Sequence, residues 1–175
     1  MTDTLIAPDD PRADDVRALL RQHLEFASTY TPPGHVHALD VEALLDPAVT
    51  FFSARRAGDL LAVGALKHLD ARHGEVKSMH TALAARGRGI GRAMIGHLIG
   101  VGRDRGYDRI SLETGSMAAF APARALYASA GFTECAPFGA YPASPTSTFM
   151  TLLLAGGGLS CSPTAQPGSQ HHQAR

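Results

Sequence analysis

The sequence predicts a mixed α/β fold in which a central, mixed sheet carries helices on both faces. Three observations predict it. Strand-like and helix-like segments alternate through the middle of the chain, a hairpin signal at residues 57–59 precedes them, and two strand-like segments follow them. The chain has 175 residues, of which 45% are hydrophobic and 18% charged, which suits one domain with a substantial core.

Each element follows from the spacing of its apolar residues and from the residues at its ends. Apolar residues recur at helical spacing over 11–30, with Pro11 at the start, and a short helix over 38–45 ends before Pro47. The remaining predicted elements follow in order: strands over 49–55 and 60–69, a strand over 75–82, a helix over 90–104, a strand over 109–114, a helix over 122–130, and strands over 132–137 and 146–154.

The strand predicted over 75–82 changes the face on which its apolar residues lie. Val76 belongs to one face, whereas Met79 and Thr81 belong to the other. A regular strand alternates with a period of two residues, so a β-bulge between Val76 and Met79 would produce this shift. A strand that is buried on both faces would give the same pattern.

Glycines and arginines alternate in the segment RGRGIG at residues 86–91, between the predicted strand and the predicted helix. Glycine lets the backbone approach a ligand closely and turn its N–H groups outward. The start of the helix adds a partial positive charge and unpaired donors, and the arginines add full charges. Together these features predict a site for a phosphate-bearing, nucleotide-like cofactor.

Composition and terminal segments limit the classes of function and location. The chain has 16 basic and 16 acidic residues, so its net charge favours neither nucleic acid nor an acidic membrane surface as a partner. No signal peptide or membrane-spanning run is recognisable, and two distant cysteines do not suggest a disulfide framework, so we expect a cytoplasmic protein. Residues 1–154 are expected to form the domain, and residues 155–175, poor in large apolar residues, a disordered tail.

Two motifs carry a resemblance to a known family. The strand–turn–helix segment over 75–94 resembles the acyl-CoA-binding signature of the GNAT superfamily of acetyltransferases, Arg/Gln-x-x-Gly-x-Gly/Ala, which Arg86, Gly89 and Gly91 fill here. Residues 123–132, ARALYASAGF, are similar to a second GNAT motif, A-x-x-L-Y-x-x-x-G-F. Over residues 14–152 the chain is similar to a YsnE-like bacterial subgroup whose members are often labelled indole-3-acetate acetyltransferases.

The resemblance implies the GNAT fold, with a mostly antiparallel twisted sheet that splays at the acyl-CoA site. It also implies acetyl-CoA as the donor of an acetyl group that passes directly to a small-molecule acceptor, usually an amine, and it allows a homodimer. The residues expected to bind the cofactor are Met79, His80, Thr81, Arg86, Gly87, Arg88, Gly89, Ile90, Gly91 and Arg92.

Catalytic roles also follow from the resemblance. Tyr127 occupies the family position of the general acid that protonates the leaving thiolate. A general base is needed as well, because an alkyl amine is mostly protonated at neutral pH. Glu113 and Glu75 are the candidates for this base, and His80 is a third.

The acceptor pocket is expected to include three further residues, His37, Phe138 and Tyr141. No metal site is expected, because the histidines near residues 35–37 and 68–73 match no common zinc spacing. Two positions depart from the family. Phe120 stands where many GNAT proteins have an asparagine that contacts the pantetheine arm of the cofactor, and His80 stands where the subgroup usually has arginine.

Two other functions remain open from the sequence. A protein that binds acyl-CoA without catalysis, as a sensor or as the partner of another protein, would keep the glycine turn. A dinucleotide-binding oxidoreductase would also have a glycine-rich turn, but the third glycine of residues 87–91 follows the second by two residues instead of three.

Overall fold

A computed structural model describes residues 3–154 of the chain. The helices and strands occur in the order β1 (Leu5–Pro8), α1 (Asp14–Tyr30), α2 (Val41–Leu44), β2 (Val49–Arg56), β3 (Asp59–Asp70), β4 (His73–Thr81), α3 (Ile90–Asp104), β5 (Arg109–Gly115), α4 (Ala121–Ser129), β6 (Thr133–Glu134) and β7 (Ser147–Leu153). Short 3-10 turns at Leu83–Ala85 and Ala118–Phe120 precede α3 and α4.

The strands form one seven-stranded sheet in the order β1-β2-β3-β4-β5-β7-β6. Every neighbouring pair is antiparallel except β4 and β5, which are parallel. This confirms the predicted mixed, mostly antiparallel sheet. A dinucleotide-binding domain has a mostly parallel sheet, so the oxidoreductase alternative is wrong for residues 3–154.

Helices cover both faces of the sheet, because β3 carries apolar side chains on both of its faces. Leu66 packs with the α3 residues Met94 and Leu98 in one core cluster. Val63, on the opposite face, packs with Leu20 of α1 in the other cluster. All five side chains are at most 2% exposed. The covered sheet provides a rigid frame for the elements that converge where β4 and β5 meet.

A β-bulge interrupts β4 in the region that the sequence indicated. On the partner strand β3, Val63 and Ala65 are two residues apart, whereas the residues paired with them on β4, His80 and Lys77, are three apart. Ser78 lies inside the bulge with a φ of 53°, a conformation that is uncommon for any residue other than glycine. The predicted bulge is therefore confirmed.

The sheet opens between β4 and β5. Their parallel pairing runs only from His73↔Arg109 to Val76↔Leu112. Beyond that point β4 stays paired with β3 as far as Thr81, and β5 stays paired with β7 as far as Gly115. Within residues 3–154, no strand pairs with the edges of β4 and β5 that face each other past this point, which confirms the predicted splay.

The sequence prediction missed one strand and misplaced the ends of several elements, including α2, which spans Val41–Leu44 and not 38–45. β1 was not predicted, because it is a four-residue edge strand that ends in Pro8. α1 begins at Asp14 and not at Pro11, since Pro11 lies in the turn before it. β6 spans two residues and not six, because its pairing with β7 stops after Glu134.

No helix within residues 3–154 is long and apolar enough to cross a lipid bilayer. The predicted tail at 155–175 lies outside the described residues.

Candidate active site

A cavity of about 600 Å³ lies where β4 and β5 separate. Its walls come from α1 and the segment that follows it, from β4 and β5, from the glycine turn with the first residues of α3, and from α4. Elements that are far apart in sequence therefore meet around one space. The two motifs that carry the family resemblance, at 86–91 and 123–132, both contribute to its lining.

The glycine turn forms one end of this cavity. Gly87 and Gly89 have φ values of 71° and 78°, the left-handed region that favours glycine. A Cβ atom at either position would meet nothing within 4 Å, so the turn has an open face. Gly89 is the N-cap of α3 and no side chain caps the helix, which leaves the amides of its first turn, within residues 90–92, available to a ligand. The positive end of the α3 dipole favours an anion here.

Nine of the ten predicted cofactor-binding residues line this cavity, namely Met79, His80, Thr81, Arg86, Gly87, Gly89, Ile90, Gly91 and Arg92. Arg88 is not among the lining residues that the structure describes. Arg86 is held across the turn, because its Nε donates to the Thr81 carbonyl oxygen at 3.2 Å. The side chain of Arg86 is thus oriented without using all of its donors.

The bulge places two side chains at the cavity that sequence reasoning missed, Lys77 and Ser78. The Ser78 hydroxyl is buried, and no hydrogen-bond partner for it occurs in residues 3–154. An unpaired buried hydroxyl is costly unless something else satisfies it. The parity change between Val76 and Met79 was the one signal in the sequence that pointed to these two residues.

Tyr127 of α4 lies in the wall of the cavity and is 7% exposed. Burial raises the pKa of its hydroxyl, and the nearby negative charge of Glu113 raises it further. The phenol therefore stays protonated at neutral pH and is a proton donor, not an acceptor.

Glu113 of β5 also lines the cavity. Burial raises the pKa of the Glu113 carboxyl, and the charge of Glu75 acts in the same direction. His37 and Lys77 favour the ionised form and so oppose this rise. A half-buried carboxylate with a raised pKa, facing a cavity, has the properties of a general base.

Glu75, the other candidate base, has a different environment. Its side chain is 4% exposed and is not among the described residues that line the cavity. Its Oε1 accepts hydrogen bonds from the Tyr141 hydroxyl at 2.5 Å and from Lys77 Nζ at 3.3 Å. Glu75 thus serves as the counter-ion of a buried lysine.

Lys77 connects three parts of the chain. Its Nζ donates to the carbonyl oxygen of His37 at 3.1 Å and to the Tyr141 hydroxyl at 2.6 Å, besides Glu75. Lys77 therefore fixes the segment after α1 and the segment before β7 against β4.

The three predicted acceptor residues lie close together, but only one lines the cavity. His37 contributes to the lining, and its ring meets that of Tyr141 edge-on at 5.0 Å. Tyr141 and Phe138 pack against each other at 5.3 Å behind His37 and are not among the described lining residues. Together they form the support for His37.

A pair of histidines faces the cavity from α1 and β4. The rings of His23 and His80 meet edge-on at 5.2 Å, and both line the cavity. Burial lowers the pKa of each to about 4, so both are neutral at neutral pH. A neutral imidazole can take a hydrogen bond, but with this pKa it is a weak base.

Phe120 occupies the space beside the free end of β5. Its ring lies over Gly115, where a Cβ atom would come within 2.3 Å of the Phe120 ring. Phe26 of α1 packs edge-on against it at 5.1 Å. The position where many relatives have asparagine is thus part of an aromatic wall, which the sequence did not indicate.

No group of three or more potential metal ligands occurs within residues 3–154. Two of the histidines considered as ligands have other partners. His68 Nδ1 lies 2.7 Å from the Tyr107 hydroxyl, and His73 Nε2 lies 2.7 Å from the Ser111 hydroxyl.

Comparison with known proteins identifies the family. Residues 16–132 match the acetyltransferase (GNAT) family. The chain belongs to this family. The chain is 46% identical to the N-acetyltransferase YsnE of Bacillus subtilis over 146 residues. The matched region covers 83% of this chain and 97% of YsnE. It is 42% identical to the N-acetyltransferase YedL of Escherichia coli, over 85% of this chain and 94% of YedL. An IAA acetyltransferase of Azospirillum brasilense is 34% identical over 86% of this chain and 97% of that protein.

Solved structures agree in fold. A structure of an acyl-CoA N-acyltransferase of Klebsiella pneumoniae superposes with a TM-score of 0.71 at 24% identity, covering 86% of this chain and 97% of that one. A Bacillus subtilis acetyltransferase, solved in complex with CoA, superposes with a TM-score of 0.66 at 17% identity, covering 87% and 99%. The predicted GNAT acyltransferase class and the likeness to YsnE are confirmed.

Proposed function

We propose that this GNAT protein transfers an acetyl group from acetyl-CoA directly to the amino group of a small molecule. One observation carries the proposal. The unpaired edges of β4 and β5 open onto the same cavity as the uncapped start of α3. A ligand with a diphosphate at one end and a linear, amide-containing arm fits both features at once.

The pyrophosphate of the cofactor is assigned to the glycine turn. The open faces of Gly87 and Gly89 and the free amides of the first turn of α3 supply donors, and Arg86 and Arg92 supply charge. Acetyl-CoA in this position would supply an activated thioester. The backbone of Met79–Thr81 faces the gap and is assigned to the amides of the pantetheine arm, which would pair with it as an added strand does.

Tyr127 is assigned the role of general acid. Its raised pKa keeps the hydroxyl protonated, so it can pass a proton to the sulfur as the carbon–sulfur bond breaks. A free thiol has a pKa of about 8.5, so the thiolate is already a tolerable leaving group and the acid contributes only part of the rate.

Glu113 is assigned the role of general base, in preference to Glu75. An incoming ammonium must lose a proton before its nitrogen can attack the carbonyl carbon. Glu113 lines the cavity and has a raised pKa, whereas Glu75 holds Lys77 and Tyr141 behind the wall. The carboxylate of Glu113 accepts the proton, directly or through one water, and the new carbon–nitrogen bond replaces the carbon–sulfur bond. The second proton of the nitrogen passes to the phenolate that Tyr127 becomes when it protonates the thiolate, and Glu113 releases its proton to solvent.

Thiol release from acetyl-CoA in the presence of a panel of primary amines tests this function, with mass spectrometry to detect the acetylated product. The proposal predicts amine-dependent release that Tyr127→Phe slows without weakening CoA binding. If CoA binds but no amine in a broad panel is acetylated, the protein is a binding protein and the proposed transfer is wrong.

A further inference from the structure

We infer that the acceptor is a primary amine that carries an aromatic or branched apolar group and no carboxylate or phosphate. This inference rests on the proposed acetyl transfer and specifies its substrate class. It concerns the part of the cavity away from the glycine turn, which is lined by α1, by residues 31–38, and by Lys77 and Glu113. We call this part the acceptor end.

Among the residues that the structure describes, the acceptor end has no arginine and no lysine with an unused donor. The arginines that line the cavity, Arg86 and Arg92, lie at the turn and at the start of α3. Lys77 is the one lysine in the lining, and a lysine ammonium has three N–H donors. All three are used, on the His37 carbonyl, the Tyr141 hydroxyl and Glu75. A carboxylate or phosphate on the acceptor would therefore find no arginine or free lysine as a counter-ion here.

The paired histidines of the cavity, His23 and His80, do not supply a positive charge either. His23 and His80 are buried against each other, 5.2 Å between ring centres, with no acidic partner within the pair. Burial lowers the pKa of both to about 4, so they are neutral where the enzyme would act. His35 Nδ1 lies 3.2 Å from the hydroxyls of Ser144 and Thr146, which fixes that ring against the segment before β7.

Glu113 is the one carboxylate in the lining that the structure describes. Because it is partly buried, its charge is weakly screened by solvent. It attracts an incoming ammonium and repels an acidic group on the same molecule. The electrostatics of the acceptor end therefore select for a cationic amine and against an amino acid.

The rest of the wall is apolar. Phe26, Ala27, Val36, Ala38, Ala119 and Phe120 line the cavity. Phe26 and Phe120 pack edge-on at 5.1 Å, which leaves aromatic surface in contact with the space. Such a wall gains from contact with an aromatic or branched apolar group, and it offers a polar substituent little to bind.

Three compounds of matched shape test the inference: phenethylamine, phenylalanine and phenylalanine amide. Phenylalanine amide has nearly the size of phenylalanine and keeps the ammonium, but it lacks the negative charge of the carboxylate. We expect acetylation of phenethylamine and of the amide, with a kcat/KM for phenylalanine lower by at least about tenfold, because a like charge near Glu113 opposes binding. Equal or faster acetylation of phenylalanine overturns the inference and leaves the proposed transfer intact.

If none of the three is acetylated, the proposed transfer fails for this class, and binding to the CoA-loaded protein by calorimetry decides the acceptor class separately. Tighter binding of phenethylamine than of phenylalanine supports the inference, and the reverse order overturns it. Thr31 lines the cavity and supplies a matched pair of variants. Thr31→Lys should reduce the difference in kcat/KM, or in affinity, between phenylalanine and phenethylamine. Thr31→Gln, of similar length and without charge, should not. If Thr31→Gln reduces this difference as much as Thr31→Lys does, charge does not cause it and the inference is wrong.

Discussion

Replacing Glu113 with glutamine removes the one carboxylate in the described lining of the cavity and keeps the size of the side chain. An amide cannot accept a proton from an incoming ammonium. General base catalysis contributes about 10²–10⁴-fold to a rate, so we expect Glu113→Gln to lower kcat by at least about 100-fold at neutral pH. Affinity for acetyl-CoA should not change, because Glu113 lies on β5 and not at the glycine turn or on Met79–Thr81.

The pH dependence gives a second, independent readout of the same substitution. Burial raises the pKa of the Glu113 carboxyl, and Glu75 adds to the rise, while His37 and Lys77 oppose it. A base must be ionised to accept a proton, so activity is present above this raised pKa and is lost as the pH falls through it. Glu113→Gln has no such group, so its residual activity should lack this loss on the acid side.

Thiol release from acetyl-CoA, at saturating acetyl-CoA and amine and from weakly acidic to weakly basic pH, measures both effects. Tyr127→Phe is the matched control. Its phenol stays protonated throughout, so removing the hydroxyl should lower the rate and leave the acid-side loss unchanged. A Glu113→Gln variant that keeps wild-type kcat, or that keeps the wild-type loss of activity at acid pH, would refute the assignment of the base.

Three further substitutions have defined outcomes. Tyr127→Phe should reduce kcat by about 10–1000-fold at unchanged KM for acetyl-CoA, and an unchanged kcat would show that the thiolate leaves without this acid. Lys77→Met should destabilise the fold by about 3–5 kcal/mol in urea unfolding, because Glu75 is left buried without its counter-ion. Adding Glu75→Gln to Lys77→Met should restore part of the lost free energy of unfolding. Equal stability of the single and the double variant would show that the loss does not come from an unpaired Glu75 carboxylate. Gly91→Val should weaken CoA binding in calorimetry by at least about tenfold. A Cβ atom added at Gly91 would lie 3.2 Å from Leu126 and 3.4 Å from Thr81, so the branched side chain has no room except in the cavity that Gly91 lines. Gly96→Val, in the same helix but outside the described lining of the cavity, is the control. Equal CoA affinity of the two variants would show that the diphosphate does not bind at this turn.

Local patterns in the sequence were sufficient to predict the turn, the helix start and the bulge that line one end of the cavity. Glycine spacing, the helix start and the parity change on β4 each depend on residues within a few positions of one another. The turn at 86–89, the start of α3 at Ile90 and the bulge at Ser78 lie where these patterns indicated. Such features are encoded by steric preference and by alternation along one strand, so they do not require knowledge of tertiary contacts.

The acceptor end could not be predicted in the same way, because its contacts join distant parts of the chain. Lys77 and Tyr141 are 64 positions apart, and their hydrogen bond depends on how the segment before β7 returns to β4. Glu75 and Glu113 were equivalent candidates in the sequence. Both side chains lie on the same face of the sheet, because Glu75 pairs with Ser111, two residues before Glu113. Their positions along the folded sheet separate the partner of Lys77 from the carboxylate at the cavity.

A crystal structure of the protein grown with CoA would show where the coenzyme binds. We expect the pyrophosphate within hydrogen-bond distance of the amides of residues 87–92, and the pantetheine arm in the gap beside Met79–Thr81. Coenzyme bound elsewhere on the protein, with the glycine turn and the gap between β4 and β5 unchanged and free of ligand, would contradict it.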